Sequence, residues 1–154
     1  MKKTIAVIGA KGFVGTSLSN YIHEFTDYNF IPVVRGDNVE AAVEKSDIII
    51  YSANSGRRFF ANNNPEKDFM DSVEKTAHIF EKSHNKRFVL VSSISARTQL
   101  NTAYGRNRRA CELIVSSPNS LVVRLGPMYG GGKSVGALAD IQNNKTVYVA
   151  PTTK

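Results

Sequence analysis

An α/β fold, a doubly wound parallel sheet between two helical layers, follows from three observations on this 154-residue chain. Short β-rich apolar runs alternate with segments whose apolar residues recur at helical spacing. A glycine-rich turn directly follows the first of these runs. The composition, 42% hydrophobic and 21% charged, is that of a globular domain, and the length suits one such domain.

The elements follow in order. Thr4–Ile8 reads as the first strand, and Phe13, Val14, Leu18, Tyr21 and Ile22 recur as one helix face. Residues 30–34 suit a second strand and residues 39–45 a short polar helix. The run DIIIY (47–51) is apolar without alternation, as in a strand covered on both sides. A helix is expected to begin around Asn62–Pro65, with Phe69, Val73, Ala77 and Phe80 as its core stripe. RFVLV (87–91), residues 104–115 and LVVRL (121–125) supply a fourth strand, a helix and a fifth strand. The tail is expected to hold a helix at 136–142 and a short strand at 146–150.

Several functions are excluded. One cysteine, Cys111, builds no disulfide framework and fits a reducing, cytoplasmic location. The histidines (His23, His78, His84) are scattered and no Cys/His cluster has metal-site spacing, so no metal is expected. No apolar run approaches the ~20 residues that cross a bilayer. The opening MKKTIAVIGAKG has the lysines of a leader, but Lys11 interrupts its apolar stretch and no small-residue cleavage site follows. The formal charge is +7 and uneven: about −1 in residues 1–77 and +8 in residues 78–154. Such asymmetry suggests a polyanionic partner.

In a parallel sheet ligands bind beyond the carboxyl ends of the strands. There the chain places Gly9-Ala10-Lys11-Gly12-Phe13-Val14-Gly15, a G-x-x-G-x-x-G loop between strand and helix. Glycine allows the tight turn and close approach of a pyrophosphate, and the helix offers its amino end to the anion. This is the context of a Rossmann-type dinucleotide site. After the second strand comes Arg35, and Lys11 is a second nearby cation. Together they favour NADP(H) over NAD(H), because cations suit a 2′-phosphate. Asp37, two residues on, could instead take the acidic role that suits NAD.

Ser92 and Ser93 end the fourth strand. Tyr104 and Arg108, at i and i+4, share a helix face. At these residues the chain resembles the short-chain dehydrogenase/reductase superfamily, most closely its extended, sugar-nucleotide epimerase/dehydratase branch. GAKGFVG resembles the glycine loop. DIIIYSAN puts Ala53 in a cofactor-contacting position, and RLGPMYGGG, with Leu125, resembles the segment that ends the nucleotide-binding half. FVLVSS places Ser93 on the catalytic hydroxyl and YGRNR places Tyr104 on the catalytic tyrosine.

The resemblance, over residues 4 to about 133, implies Tyr104 as acid/base, Ser93 as the donor orienting the same substrate oxygen, and Arg108 as the neighbouring cation. The cofactor-binding set is Gly9, Lys11, Gly12, Phe13, Val14, Gly15, Arg35, Ala53 and Leu125. Arg108 stands where the family has lysine, Ser72 where it has asparagine, and extended members are roughly twice as long. The resemblance thus implies a dinucleotide-binding domain over residues 1–133, with residues 134–154 as the remnant of a substrate-binding region or a C-terminal extension. Relatives pair this tyrosine helix with the helix before it across a dimer interface, which implies a homodimer. The implied function is NAD(P)(H)-dependent oxidation, reduction, epimerisation or dehydration of a nucleotide-sugar or a related carbonyl or hydroxyl compound. The alternative is a dinucleotide-binding module or sensor without turnover. Nucleic acid ranks last, because no nucleic-acid motif accompanies the charge. Arg106, Arg108, Arg109, Arg124 and Lys133 are all expected to face the cofactor crevice.

Overall fold

Ile5 to Ile8 are all buried, so strand β1 (Thr4–Ile8) needs cover on both faces. The computed structural model, which describes residues 2–130 and 137–147, supplies that cover in three layers. Strands β2 (Asn29–Val33), β3 (Ile48–Tyr51), β4 (Arg87–Ser93) and β5 (Ser120–Leu125) join β1 in one parallel sheet, ordered β2-β1-β3-β4-β5. The chain steps outward from β1 to β2, then returns to β3 on the other side. The switch point of the sheet therefore lies between β1 and β3, where ligands bind in folds of this kind.

Helix α1 (Phe13–Phe25) covers one face, where Ile5, Val7, Ala10 and Ile22 form a core with Phe30, Ile48 and Ile50 packed against it. On the other face lie α2 (Val39–Glu44), α5 (Lys75–Lys82) and α7 (Ala103–Ile114). The larger core sits there, with Ile8, Ile49, Tyr51, Phe88 and Leu90 against Val43, Val73, Ile79, Cys111 and Val115. The register carries the α1 face across to Val89, Val91, Leu121 and Val123. Leu121 and Val123 are exposed.

Polar side chains start two of the helices. Asn38 caps α2 by accepting from the Ala41 N–H at 3.0 Å, and Thr102 caps α7 by accepting from the Gly105 N–H at 3.0 Å. Between β3 and α5 the chain differs from expectation. Helix α3 (Arg58–Asn63) precedes Asn64, and α4 (Pro65–Phe69) begins on proline, which suits a first helical position. A π-helical turn (Met70–Glu74) then separates α4 from α5. Phe69 is exposed rather than core, and the residues turned inward are Asp68, Ser72, Val73, Thr76 and Ile79, one position off the expected stripe.

A four-residue α6 (Ser95–Thr98) follows β4, and α8 (Ala137–Gln142) is the last element described. The strand expected at 146–150 runs into residues 148–150, outside the described residues, as does Lys133. No helix among the described residues is long and apolar enough to cross a membrane.

Gly105 lets α7 close onto α6. A Cβ there would stand 2.0 Å from the Gln99 carbonyl oxygen and 2.8 Å from that of Ser95. Both are backbone atoms, so the helices would have to separate. Gly105→Ala is expected to lower stability by about 3 kcal/mol, read as a drop in the urea midpoint.

Candidate functional site

The loop after β1 is shaped by three backbone contacts that leave no room for side chains. Gly9 has φ +91°, a region L-residues avoid, and a Cβ on it would meet the Ala53 backbone at 2.8 Å. A Cβ on Gly15 would stand 2.0 Å from the Gly9 carbonyl oxygen, and one on Gly12 would stand 3.2 Å from it. The Gly12 N–H donates to that same oxygen at 2.9 Å, closing the turn that starts α1. The Ser52 N–H donates to the Ile8 carbonyl at 2.9 Å. The segment after β3, carrying Ala53, is thereby laid against the glycine loop. Gly9, Gly12, Gly15 and Ala53 are thus brought together, with Phe13 and Val14 in the first turn of α1. The backbone cradle fits a pyrophosphate at a helix amino end.

Lys11 and Arg35 are both exposed. Asp37 is exposed and closes the turn after β2. Its carboxylate accepts from the Val34 N–H at 2.8 Å, and its own N–H donates to the Val34 carbonyl at 3.1 Å, locking the turn after β2. Leu125 ends β5, and its carbonyl accepts from the Ile94 N–H at 3.0 Å.

Ser93 ends β4, nine-tenths buried, and its Oγ accepts from the Ser95 N–H at 3.2 Å. As an acceptor there, the hydroxyl keeps its hydrogen to donate elsewhere. The contact of Gly105 with Ser95 ties this strand end to the residue after Tyr104. Tyr104 is 5% exposed, and its ring lies between two guanidinium groups, 4.7 Å from Arg108 and 5.9 Å from Arg58. Its N–H donates to Asn62 Oδ1 at 3.2 Å, so α3 covers the start of α7.

Arg108 is the largest of the fully buried side chains. Its Nη2 donates to the Ser55 carbonyl at 2.8 Å and lies 3.4 Å from Asp68 Oδ1. The other Asp68 oxygen accepts from Asn107 Nδ2 at 2.8 Å. Arg108 Nη1 and Asn54 Oδ1 are buried with no hydrogen-bond partner among the protein groups. Beside them Cys111 Sγ accepts from Thr76 Oγ1 at 3.5 Å and burial pushes its thiol pKa up. Burial likewise pushes the Tyr51 phenol up to about 12, against the opposing effect of a Thr76 hydrogen bond.

The basic excess is distributed differently from expectation. Arg109 and Arg124 converge on buried Glu112, at 3.1 Å and 2.7 Å, and Ser92 Oγ donates to the same carboxylate at 2.7 Å. Arg124 thereby staples α7 to β5, while Arg109 pairs with Glu112 within α7. Arg106 is exposed, with Nη1 3.4 Å from the Leu100 carbonyl. Sequence reasoning missed Asp68, Asn62, Arg58 and Glu112. Glu112 stands at i+4 from Arg108 but pairs with Arg109 and Arg124, so Arg108 finds its carboxylate on α4.

Three solved structures place the fold. The chain is 21% identical to a dTDP-4-dehydrorhamnose reductase from Yersinia enterocolitica (TM-score 0.81), covering 93% of this chain and 60% of that one. It is 14% identical to a UDP-glucuronic acid 4-epimerase from Bacillus cereus in complex with NAD (TM-score 0.75; 92% and 63% covered). It is 18% identical to a dTDP-4-dehydrorhamnose reductase from Bacillus anthracis in complex with NADP (TM-score 0.71; 82% and 54% covered). The chain spans less than two thirds of the length of each. No protein-family model and no curated protein matches it.

Burial alone would raise the Glu112 carboxyl, but hydrogen bonds from Arg124, Ser92 and Arg109 outweigh it and hold the group below its ordinary 4.5. A carboxylate depressed in the folded state stabilises above its unfolded pKa and loses that contribution as pH falls through the folded value. Glu112→Gln is therefore expected to cost about 2 kcal/mol at neutral pH. Its deficit against the native chain should shrink below pH 4.5, which urea melts at neutral and acid pH would measure.

Proposed function

We propose that residues 1–133 form the dinucleotide-binding unit of an extended-branch short-chain dehydrogenase/reductase, taking NADP(H) in preference to NAD(H). The substrate class is a nucleotide-sugar or a related carbonyl or hydroxyl compound. The observation that carries this reading is the joining of two features. A glycine cradle packs on the Ala53 segment, and two residues beyond Ala53 that segment is bound by Arg108, whose guanidinium lies on the Tyr104 ring. The neighbours with this fold bear NADP in one structure and NAD in another, so the preference rests on Lys11 and Arg35.

Gly9, Gly12 and Gly15 would hold the pyrophosphate, with Phe13 and Val14 supplying the first turn of the helix beneath it. Lys11 and Arg35 would meet the 2′-phosphate. The nicotinamide, when bound, supplies the hydride donor or acceptor. On the protein side, Tyr104 Oη exchanges a proton with the substrate oxygen that gains or loses it. Ser93 Oγ–H donates to that oxygen and orients it. Arg108 places a fixed positive charge on the tyrosine ring.

A second reading, a dinucleotide module without turnover, is favoured by the cover that Arg58 and Asn62 place on Tyr104. In that reading the same cradle binds dinucleotide and no substrate reaches the hydroxyl.

Ligand that binds only the folded state raises the melting temperature. NADPH at millimolar concentration is expected to raise it more than NADH does. No shift with either would overturn both readings, and a larger shift with NADH would overturn the assignment of Lys11 and Arg35. Tyr104→Phe is expected to leave that shift intact and to cut any turnover about a hundredfold or more. Unchanged turnover would remove Tyr104 from the proton-transfer role.

A further inference from the structure

A buried guanidinium needs an answering charge, because desolvating an isolated ion costs several kcal/mol. Arg108, at 2% exposure, finds that charge in Asp68, at 3% exposure, forty residues away on a different element. Asp68 lies on the buried face that continues through Ser72, Thr76 and Ile79, and Ser72 Oγ, one turn on, donates to its carbonyl at 2.5 Å. Its carboxylate engages two consecutive residues of α7, with Oδ2 accepting from Asn107 and Oδ1 facing Arg108. The guanidinium is thereby gripped at Nη2 by Asp68 and the Ser55 carbonyl, and its plane is held over the Tyr104 ring. Nη1 is left buried and unpaired.

We infer that Asp68 is a positioning residue for the dinucleotide site. It fixes the arginine that replaces the family's lysine against the Tyr104 ring and the Ser55 carbonyl, and so holds the segment that carries Ala53 against the glycine loop. This rests on the dinucleotide reading above. Arginine presents a rigid planar fork, where lysine has a freely rotating ammonium. Asp68 and the Ser55 carbonyl anchor one edge of that fork, so Asp68 and Arg108 act as one unit.

The experiment is a double-mutant cycle read by NADPH affinity and by melting temperature on the same full-length chains. Asp68→Asn is expected to weaken NADPH about tenfold. Arg108→Gln is expected to weaken it at least as much. In the double variant Asp68→Asn/Arg108→Gln, removal of both charges should recover much of the lost melting temperature while affinity stays low. In the Arg108→Gln background, Asp68→Asn should no longer change affinity. If Asp68→Asn fails to fold, Asp68→Glu keeps the charge, displaces the guanidinium by a methylene, and is expected to weaken NADPH with little change in melting temperature. A lower melting temperature with affinity unchanged, or an Asp68→Asn effect that persists without Arg108, would show a purely structural role and overturn the inference. Absence of NADPH binding to the native chain would instead overturn the dinucleotide reading, and this inference with it.

Discussion

A single buried cation constrains the architecture around the sheet's switch point. Arg108 has no route to water, so its charge and donors must be met by groups brought to it. Asp68 arrives through α4, the Ser55 carbonyl through the segment after β3, and the Tyr104 ring through the preceding turn of α7. Three chain segments from different regions are therefore fixed relative to one another by one side chain. Truncating any partner would leave the others facing an unanswered charge, which is costlier than losing a contact between neutral groups.

The other constraint is steric. Gly9, Gly15 and Gly105 each sit where a Cβ would collide with backbone, so the glycine loop, the Ala53 segment and the α6–α7 corner approach one another more closely than other residues allow. Electrostatics at Arg108 and absent side chains at the glycines act on the same region from opposite sides. The first binds the Ser55 end of the segment after β3, and the second admits its Ala53 end against the loop. What results is a backbone cradle rigidly joined to a tyrosine flanked by arginines, the kind of preorganisation on which positioning of reactants depends.

The strands were legible because apolar runs of four or five residues have few alternative readings in a chain this polar. Tyr104 and Arg108 were legible as a pair because i and i+4 share a helix face. The glycine loop was legible because its constraint is local. What escaped notice depends on contacts distant in sequence. Asp68 was hidden because the apolar Phe69 beside it drew the assignment of the buried face, which runs one residue earlier through a carboxylate. Helix α3 was hidden because RFFANN carries no periodic apolar stripe, and with it went the cover that Arg58 and Asn62 place on Tyr104. The charge asymmetry misled for a related reason. Glu112 answers two arginines at once, so a count of charges overstated the free positive surface.

The account joins these features in one claim, that the anchored guanidinium and the glycine cradle serve the same dinucleotide. A crystal structure with NADPH bound tests it most directly. The predicted result is pyrophosphate against the backbone of Gly12 to Gly15, with Arg108 still on the Tyr104 ring and the Asp68 pair intact. Dinucleotide bound away from the loop, or Arg108 withdrawn from Tyr104 with its tie to Asp68 broken, would contradict it.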